Sequence, residues 1–394
     1  MVSAIAHFVA EPPTSSELAR IASAIANDVC APNASAVDRD ARFPHEAIAA
    51  LRAHRMLSVL VPSRFGGAQA QISDVALAVE SLGKQCASTA MVYAMHHIQI
   101  AAVARHGHND WAHDFLARVA RDELLLASAT TELGVGGDVR SSICSVEYDG
   151  DNFSLEKNSP VVSYGIHSDA ILATARRTAE SPAGDQVLVV IPTVATTLEH
   201  KSPWNAMGFR GTCSDGYIVR GAGSVEQILT DPYDDISART MLPTSHVLWA
   251  SVWLGLATSA VDIARTYVRA AARKSPGTTP PGAIHLAALV GKLEEFRSLT
   301  RERTAEYEAA MHDPDRCGSM GFAIRMNTLK VSSSNLVVEC VTSALRICGI
   351  SGYLEDSPYS LSRHLRDAHG AALMVSNDRL TAASAQMLLV HKET

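Results

Sequence analysis

Residues 130–139 read TTELGVGGDV and gather Thr130, Thr131, Glu132, Gly134, Gly136, Gly137 and Asp138 in one short stretch. Hydroxyls and backbone N–H groups at this spacing can close around a cofactor, and glycines let the backbone approach because no Cβ intervenes. A plain turn after a strand uses the same residue types, so the stretch needs corroboration from elsewhere. His96 and His97 supply rings that titrate near neutrality and can shuttle a proton; a polar helix face or a core-capping histidine is the blander role. Metal chemistry has little support. There is no HExxH, and the seven cysteines show no CxxC or other ligand spacing.

These groups must be positioned by three kinds of texture. Residues 14 to about 120 carry helical periodicity. In SSELARIASAIANDVCAPNASAVD, Leu18, Ile21, Ala22, Ile25 and Val29 share one face, with Ser15 or Ser16 as N-cap. Further helices are predicted in FPHEAIAALRAHRM, QISDVALAVESLGKQC and STAMVYAMHHIQIAAVARHG, the last opened by Ser88 and closed by Gly107. Short β-branched or alternating runs follow from about 123 to 235, among them LLLASAT, SVEYDGDNFSL, AILATARR and QVLVVIP, and predict antiparallel strands. Long helical patterns then return to the end of the chain. The expected organisation is an α+β, mostly α protein: a helical unit over 1–122, a β-barrel-like unit over 123–238 and a helical bundle over 239–394.

A chain of 394 residues with 47% hydrophobic and 19% charged residues is globular in composition. Its net charge of −7 gives no electrostatic pointer to nucleic acid or an anionic membrane. Scattered cysteines and the absence of a signal-peptide pattern predict a reduced, cytoplasmic protein. The apolar run VLWASVWLGLATSAVDIA, which contains Asp262, reads as a helix buried in a bundle rather than a membrane span.

Five segments, in order over nearly the whole chain, resemble motifs of the acyl-CoA dehydrogenase superfamily of flavoproteins: LVPSRFGG, TTELGVGGD, SYGIHSDAILATAR, WNAMGFRGTCSDGY and ICGISGYLEDSPYSLSRHLRDA. The resemblance implies the acyl-CoA dehydrogenase fold, with an N-terminal helical domain, a middle antiparallel β-domain and a C-terminal four-helix bundle. It implies FAD, or FMN as in some monooxygenase relatives, bound at a subunit interface of a homotetramer or homodimer. Ser128, Thr130 and Thr131 would line the pyrimidine side of the flavin, and Gly136 and Gly137 would belong to the same cradle. Ser163 falls where the family places a Ser or Thr near flavin N5. The Trp usual two positions earlier is Val161. Arg273 approximates an arginine that reaches the cofactor pyrophosphate of a neighbouring subunit; its alternative is a solvated helix end. Gly349 and Gly352 resemble the turn that approaches the partner's cofactor, and Asn377 is a further cofactor-binding candidate. Arg366 and Asp367 read as a structural ion pair.

One residue expected of a dehydrogenase is missing. Family members that oxidise acyl thioesters use a Glu to remove the α-proton, usually nine residues after the Arg of RDA. Here that position is Val375, and the alternative position, near Ser245, has no carboxylate either. Asp378 could substitute as base, against a blander role at a helix start. Relatives that use reduced flavin and O2 to hydroxylate small molecules need no such Glu. In that reaction Ser163 would hold the reacting edge of the flavin, and His96 or His97 would carry a proton, with His369 a weaker candidate. The sequence therefore points to oxygenation of a small or carrier-bound metabolite, fed by a separate flavin reductase. The alternatives are dehydrogenation of an acyl-thioester substrate with a non-standard base and, last, a flavin-binding protein without turnover.

Overall fold

The computed structural model describes residues 11–392 apart from 137 and 139. Helices come first: α1 (Ser15–Ile25), α2 (Ala31–Arg39), α3 (His45–Ala53), α4 (Ile72–Gln85), α5 (Ala87–His106) and α6 (Asp110–Asp122). The first stretch, read in the sequence as one helix from Ser15, starts instead behind Thr14, whose backbone N–H donates to Glu17. It passes through a wider turn at Ala26–Cys30 into α2. Pro32 explains that break, since it has no N–H to continue the ladder. Helix α5 begins behind Cys86, and Ser88, the expected cap, is buried inside its first turn.

Two sheets follow. One has the order β1-β4-β5 (Leu126–Ala129, Ala170–Arg176, Gln186–Pro192) and the other β2-β3-β7-β6 (Glu147–Asp149, Asn152–Ser159, Gly216–Ser224, Thr196–Ser202). Six of the seven strands pair only antiparallel neighbours or join β1, but β1 itself runs parallel to β4, Leu126 opposite Ala170. The long excursion through β2 and β3 supplies the crossover that a parallel pair needs. β3 alternates strictly, with Phe153, Leu155, Lys157 and Ser159 turned inward, while β4 and β5 are buried on both faces. The sheets come close at Gly221, where a Cβ would lie 2.6 Å from Ile191 Cδ1.

The last part is helical: α7 (Tyr233–Ile236), α8 (Leu242–Lys274), α9 (Gly282–Ala310), α10 (Pro314–Cys317), α11 (Met320–Cys348), α12 (Ile350–Tyr353), α13 (Ser362–Gly370) and α14 (Asn377–Leu388). Helices α8, α9 and α11 pack against one another, and α14 packs on α11. The apolar run of α8 lies inside this bundle, with residues 247–257 buried throughout. Helix α4 also docks on α8, tying the first helices to the last. Glycines permit that crossing: a Cβ on Gly255 would lie 2.3 Å from Glu80 O, and one on Gly83 would lie 2.8 Å from Val252 O.

Candidate functional site

A cavity of about 440 Å³ opens where the strand ends, α5, the start of α8 and the turn after α13 converge. Its first wall is made of hydroxyls. Ser128 at the end of β1, then Thr130 and Thr131, and Ser163 beyond β3 all line it, with Thr212 and Ser214 from the segment before β7. The Thr131 hydroxyl donates to Val161 O at 2.9 Å, so it holds the wall together. Those of Ser128 and Thr130 have no partner among the described residues and are half-buried.

The Ser163 hydroxyl has a defined direction. Thr212 donates its only hydroxyl proton to Phe209 O (2.9 Å), so it accepts from Ser214 (2.7 Å). Ser214 must then accept from Ser163 (2.8 Å). A hydroxyl with its proton committed this way presents lone pairs to the cavity, so Ser163 is an acceptor there.

The glycine stretch is held from below by a buried ion pair. Glu132 accepts from Lys157 Nζ (2.9 Å), Cys144 N (2.6 Å), Ser142 Oγ (2.6 Å) and Ile143 N (3.1 Å). Burial raises its carboxyl, but these donors together outweigh burial and leave it below the usual range. Lys157 is fully buried and donates also to Thr174 O at 2.9 Å. The TTELG stretch is thus a rigid mount for Thr130 and Thr131.

A second part of the lining is helical and largely apolar. Met91, Met95, Ile98 and Gln99 come from α5, Met241 from the turn just before α8, and Leu242, Ser245 and Trp249 from the start of α8. The end wall is Met374 and Val375, and Val375 sits at φ 43°, a left-handed conformation that a β-branched side chain adopts at a cost. Lys330 Nζ stands behind it, donating to Val375 O (2.9 Å) and Asn377 Oδ1 (2.8 Å). Arg366 lines the cavity but forms a two-point ion pair with Asp38 and donates to Met207 O at 3.1 Å. The segment holding Trp204 and Phe209 is docked on α13: Asp367 accepts from Phe209 N at 2.6 Å, and a Cβ on Gly208 would lie 2.3 Å from Arg366 O. Burial pushes the Asp367 carboxyl up to about 6. Arg366 and Asp367 therefore pair with different elements, not with each other.

Of the residues singled out in the sequence, the cavity brings together Ser128, Thr130, Thr131 and Ser163, and also His369. It does not bring in His96 or His97. His96 accepts from Leu126 N at Nδ1 (3.0 Å) and donates from Nε2 to Leu57 O (2.6 Å), so both ring nitrogens are spent. Burial lowers it to about 4, and lowers His97, whose Nε2 meets Met56 O, further. Both rings are core staples rather than proton shuttles. Asp378 is exposed in the first turn of α14, away from the cavity, where its charge favours the helix start. Asn377 also stands outside, its amide engaged by Lys330 and Ser334. Gly136 does not line the cavity; its carbonyl accepts from Arg379. Arg273 is exposed in the last turn of α8, Gly349 is the N-cap of α12 and Gly352 lies within it, all apart from this cavity. Gly137 lies outside the described residues.

Sequence reading missed Gln99, Trp204, Thr212, Ser214, Tyr233 and Trp249. For α5 a signal existed: Met91, Met95 and Gln99 recur every four residues and share a face, from which His96 and His97 are turned away.

The chain matches the family model described as Acyl-CoA dehydrogenase, N-terminal domain, over residues 12–123, and Acyl-CoA dehydrogenase, C-terminal domain, over 237–374. It belongs to the acyl-CoA dehydrogenase family, whose members are flavin-dependent oxidoreductases. It is 24% identical over 362 residues to cyclohex-1-ene-1-carbonyl-CoA dehydrogenase of Geobacter metallireducens, covering 91% of this chain and 93% of that protein. Among solved structures, FMN-bound TdsC from Paenibacillus sp. A11-2 superposes with a TM-score of 0.84 at 17% identity, covering 96% of this chain and 98% of that one. Butyryl-CoA dehydrogenase from Megasphaera elsdenii gives 0.78 at 18%, covering 95% and 98%. The fold is thus shared by a protein described as a dibenzothiophene monooxygenase and by dehydrogenases.

The residues present fit a flavin. The free hydroxyls of Ser128 and Thr130 and the acceptor at Ser163 suit the polar edge of such a ring, and the volume falls within the roughly 300–1,000 Å³ of ligand sites.

Proposed function

We propose that this protein oxygenates a small or carrier-bound metabolite with reduced flavin and O2. One observation carries the reading: among the described residues, no Asp or Glu lines the cavity. Position 375 is Val and position 245 is Ser, and the Ser245 hydroxyl donates to Leu242 O at 2.8 Å. Abstraction of an α-proton needs a base within hydrogen-bond reach, and none of these groups is a carboxylate. When bound, the flavin, FAD or FMN, supplies the electrons that activate O2. Ser128 and Thr130 would hold its polar edge, and Ser163, with its proton committed to Ser214, would accept a hydrogen bond from an N–H of the reduced ring. Met91, Met95 and Trp249 keep bulk water from the reacting centre. The reductant comes from a separate flavin reductase. Arg273, Gly349 and Gly352 would serve the cofactor of a second copy in a homodimer or homotetramer, and the compartment is the cytoplasm.

The relatives that are acyl-CoA dehydrogenases favour the other outcome, α,β-dehydrogenation of an acyl thioester. A stopped-flow experiment separates the two. The bound flavin is reduced without oxygen and mixed with aerated buffer. A distinct absorbing transient before the oxidised spectrum returns is expected, and Ser163→Ala should shorten its life by about tenfold, as loss of one hydrogen bond of about 1.4 kcal/mol does. Reoxidation with no transient, together with anaerobic bleaching by acyl thioesters, would overturn the proposal.

A further inference from the structure

Two polar atoms in the helical wall have no partner. Gln99 is 2% exposed, and its Nε2 donates to Met95 O at 3.2 Å, which fixes the amide and leaves Oε1 as a buried acceptor with nothing to accept from. Trp249 is 8% exposed, and its Nε1–H is a buried donor with nothing to donate to. Both residues line the same cavity as Ser128, Thr130 and Ser163. Buried polar atoms left unpaired each cost about as much as a lost hydrogen bond, so a pair of them in a cavity wall calls for a ligand that completes them.

The surroundings narrow that ligand. Five methionines (Met91, Met95, Met207, Met241, Met374) line this cavity, out of 11 in the chain. Thioethers make favourable contacts with aromatic rings and adapt to their shape. Fixed charge is scarce in the wall, and His369 is the one imidazole among its described residues. There is no carboxylate among the described residues, the Arg366 guanidinium is matched by Asp38, and burial pushes the Tyr233 phenol up to about 12, so it stays neutral. The Lys330 ammonium lies behind the wall with its donors turned to Val375 O and Asn377, not to the cavity.

Resting on the oxygenation reading for where the flavin sits, we infer that the substrate is an uncharged, flat aromatic molecule with a hydrogen-bond donor for Gln99 Oε1 and an acceptor for Trp249 Nε1. Gln99 and Trp249 are then specificity residues: they choose among aromatic compounds, and they leave a fatty acyl chain or an anionic ring with an unpaid polar contact on each side.

The test is direct binding, without turnover, to the flavin-loaded protein by calorimetry. The probes are 2-quinolone, which carries an N–H and a C=O, its N-methyl derivative, 2-naphthoate and dodecanoyl-CoA. In the unaltered protein 2-quinolone should bind at least about tenfold more tightly than N-methyl-2-quinolone, because methylation leaves the Gln99 acceptor unpaired. Gln99→Leu should close that gap, and Trp249→Phe should weaken both quinolones alike. Equal binding of the two quinolones, a gap that survives Gln99→Leu, or tighter binding of 2-naphthoate or dodecanoyl-CoA would overturn the inference. The comparison of the two quinolones needs no variant, so a misfolded substitution does not blunt it. Discrimination without any oxygen-dependent transient would leave this recognition standing and remove the oxygenation reading. A transient without discrimination would do the reverse.

Discussion

Two lysines are fully buried, and they behave differently. Lys157 points inward from β3 and meets a carboxylate, Glu132, at 2.9 Å. Lys330 points inward from α11 and meets only Val375 O, Asn377 Oδ1 and, at 5.9 Å, the ring of Trp253. Each holds one wall segment of the cavity, the glycine stretch in one case and the turn at 375 in the other. The first is a closed ion pair that gains from rigidity. The second is a cation with no counter-ion among the described residues, and burial lowers it to about 8. The wall at Thr130 and Thr131 is therefore locked by a paired charge, whereas the wall at Val375 is backed by a lysine whose charged form burial disfavours.

Breaking the locked pair should have the largest effect. Lys157→Met strands Glu132 among polar groups with no cation, and loss of one partner of a buried pair costs about 3–5 kcal/mol. Chemical denaturation should show that loss, along with weaker retention of flavin, because Thr130 and Thr131 adjoin Glu132. Adding Glu132→Gln should recover much of the stability. If the single and double variants were equally unstable, the ion pair would not be what holds this wall.

Lys330→Met should do less and should act through pH. The folded pKa lies below the unfolded value, so the unfolded chain binds the extra proton between about 8 and 10.5. Stability in the unaltered protein should then rise as pH climbs through that window, by roughly 3 kcal/mol for this group, and the penalty is fully present below it. The methionine variant should lose this slope and be at least as stable at pH 7. A slope that persisted in the variant would assign it to other groups.

Much of this was legible from sequence, and the gaps have physical reasons. The helix, sheet, helix order follows from periodicity, since α8, α9 and α11 lie within a few residues of their patterns. Ser128, Thr130, Thr131 and Ser163 came from the family resemblance, and the structure places all four on one cavity. The parallel pairing of β1 with β4 was not legible, as it is decided by a partner 44 residues away. His96 and His97 were misassigned for a related reason. Their chemistry suggested a site, but their face of α5 looks to the loop at 56–58, whose carbonyls take them up. Gln99 carries no catalytic signature and shows itself only as an unpaired atom once the neighbours are known.

The smallest effect concerns the turn that Lys330 supports. Val375 is held at φ 43°, where a β-branched residue is strained, while its carbonyl is fixed by the ammonium. Glycine tolerates that backbone, but it also gains freedom in the unfolded chain, and the two effects oppose each other. Strain of order 1–3 kcal/mol less roughly 1 kcal/mol of entropic loss leaves about 0–2 kcal/mol, and losing the packing of the half-buried valine side chain removes part of that, so Val375→Gly should be stabilising by about 1 kcal/mol. Thermal unfolding of the variant alone and combined with Lys330→Met gives the coupling. If Lys330 enforces the strained turn, Val375→Gly should stabilise the protein with Lys330 in place and do nothing, or destabilise it, once Lys330 is gone. An equal gain in both backgrounds would mean that the turn is set by α13 and α14, and that the wall at Val375, unlike the wall at Thr130 and Thr131, does not depend on its lysine.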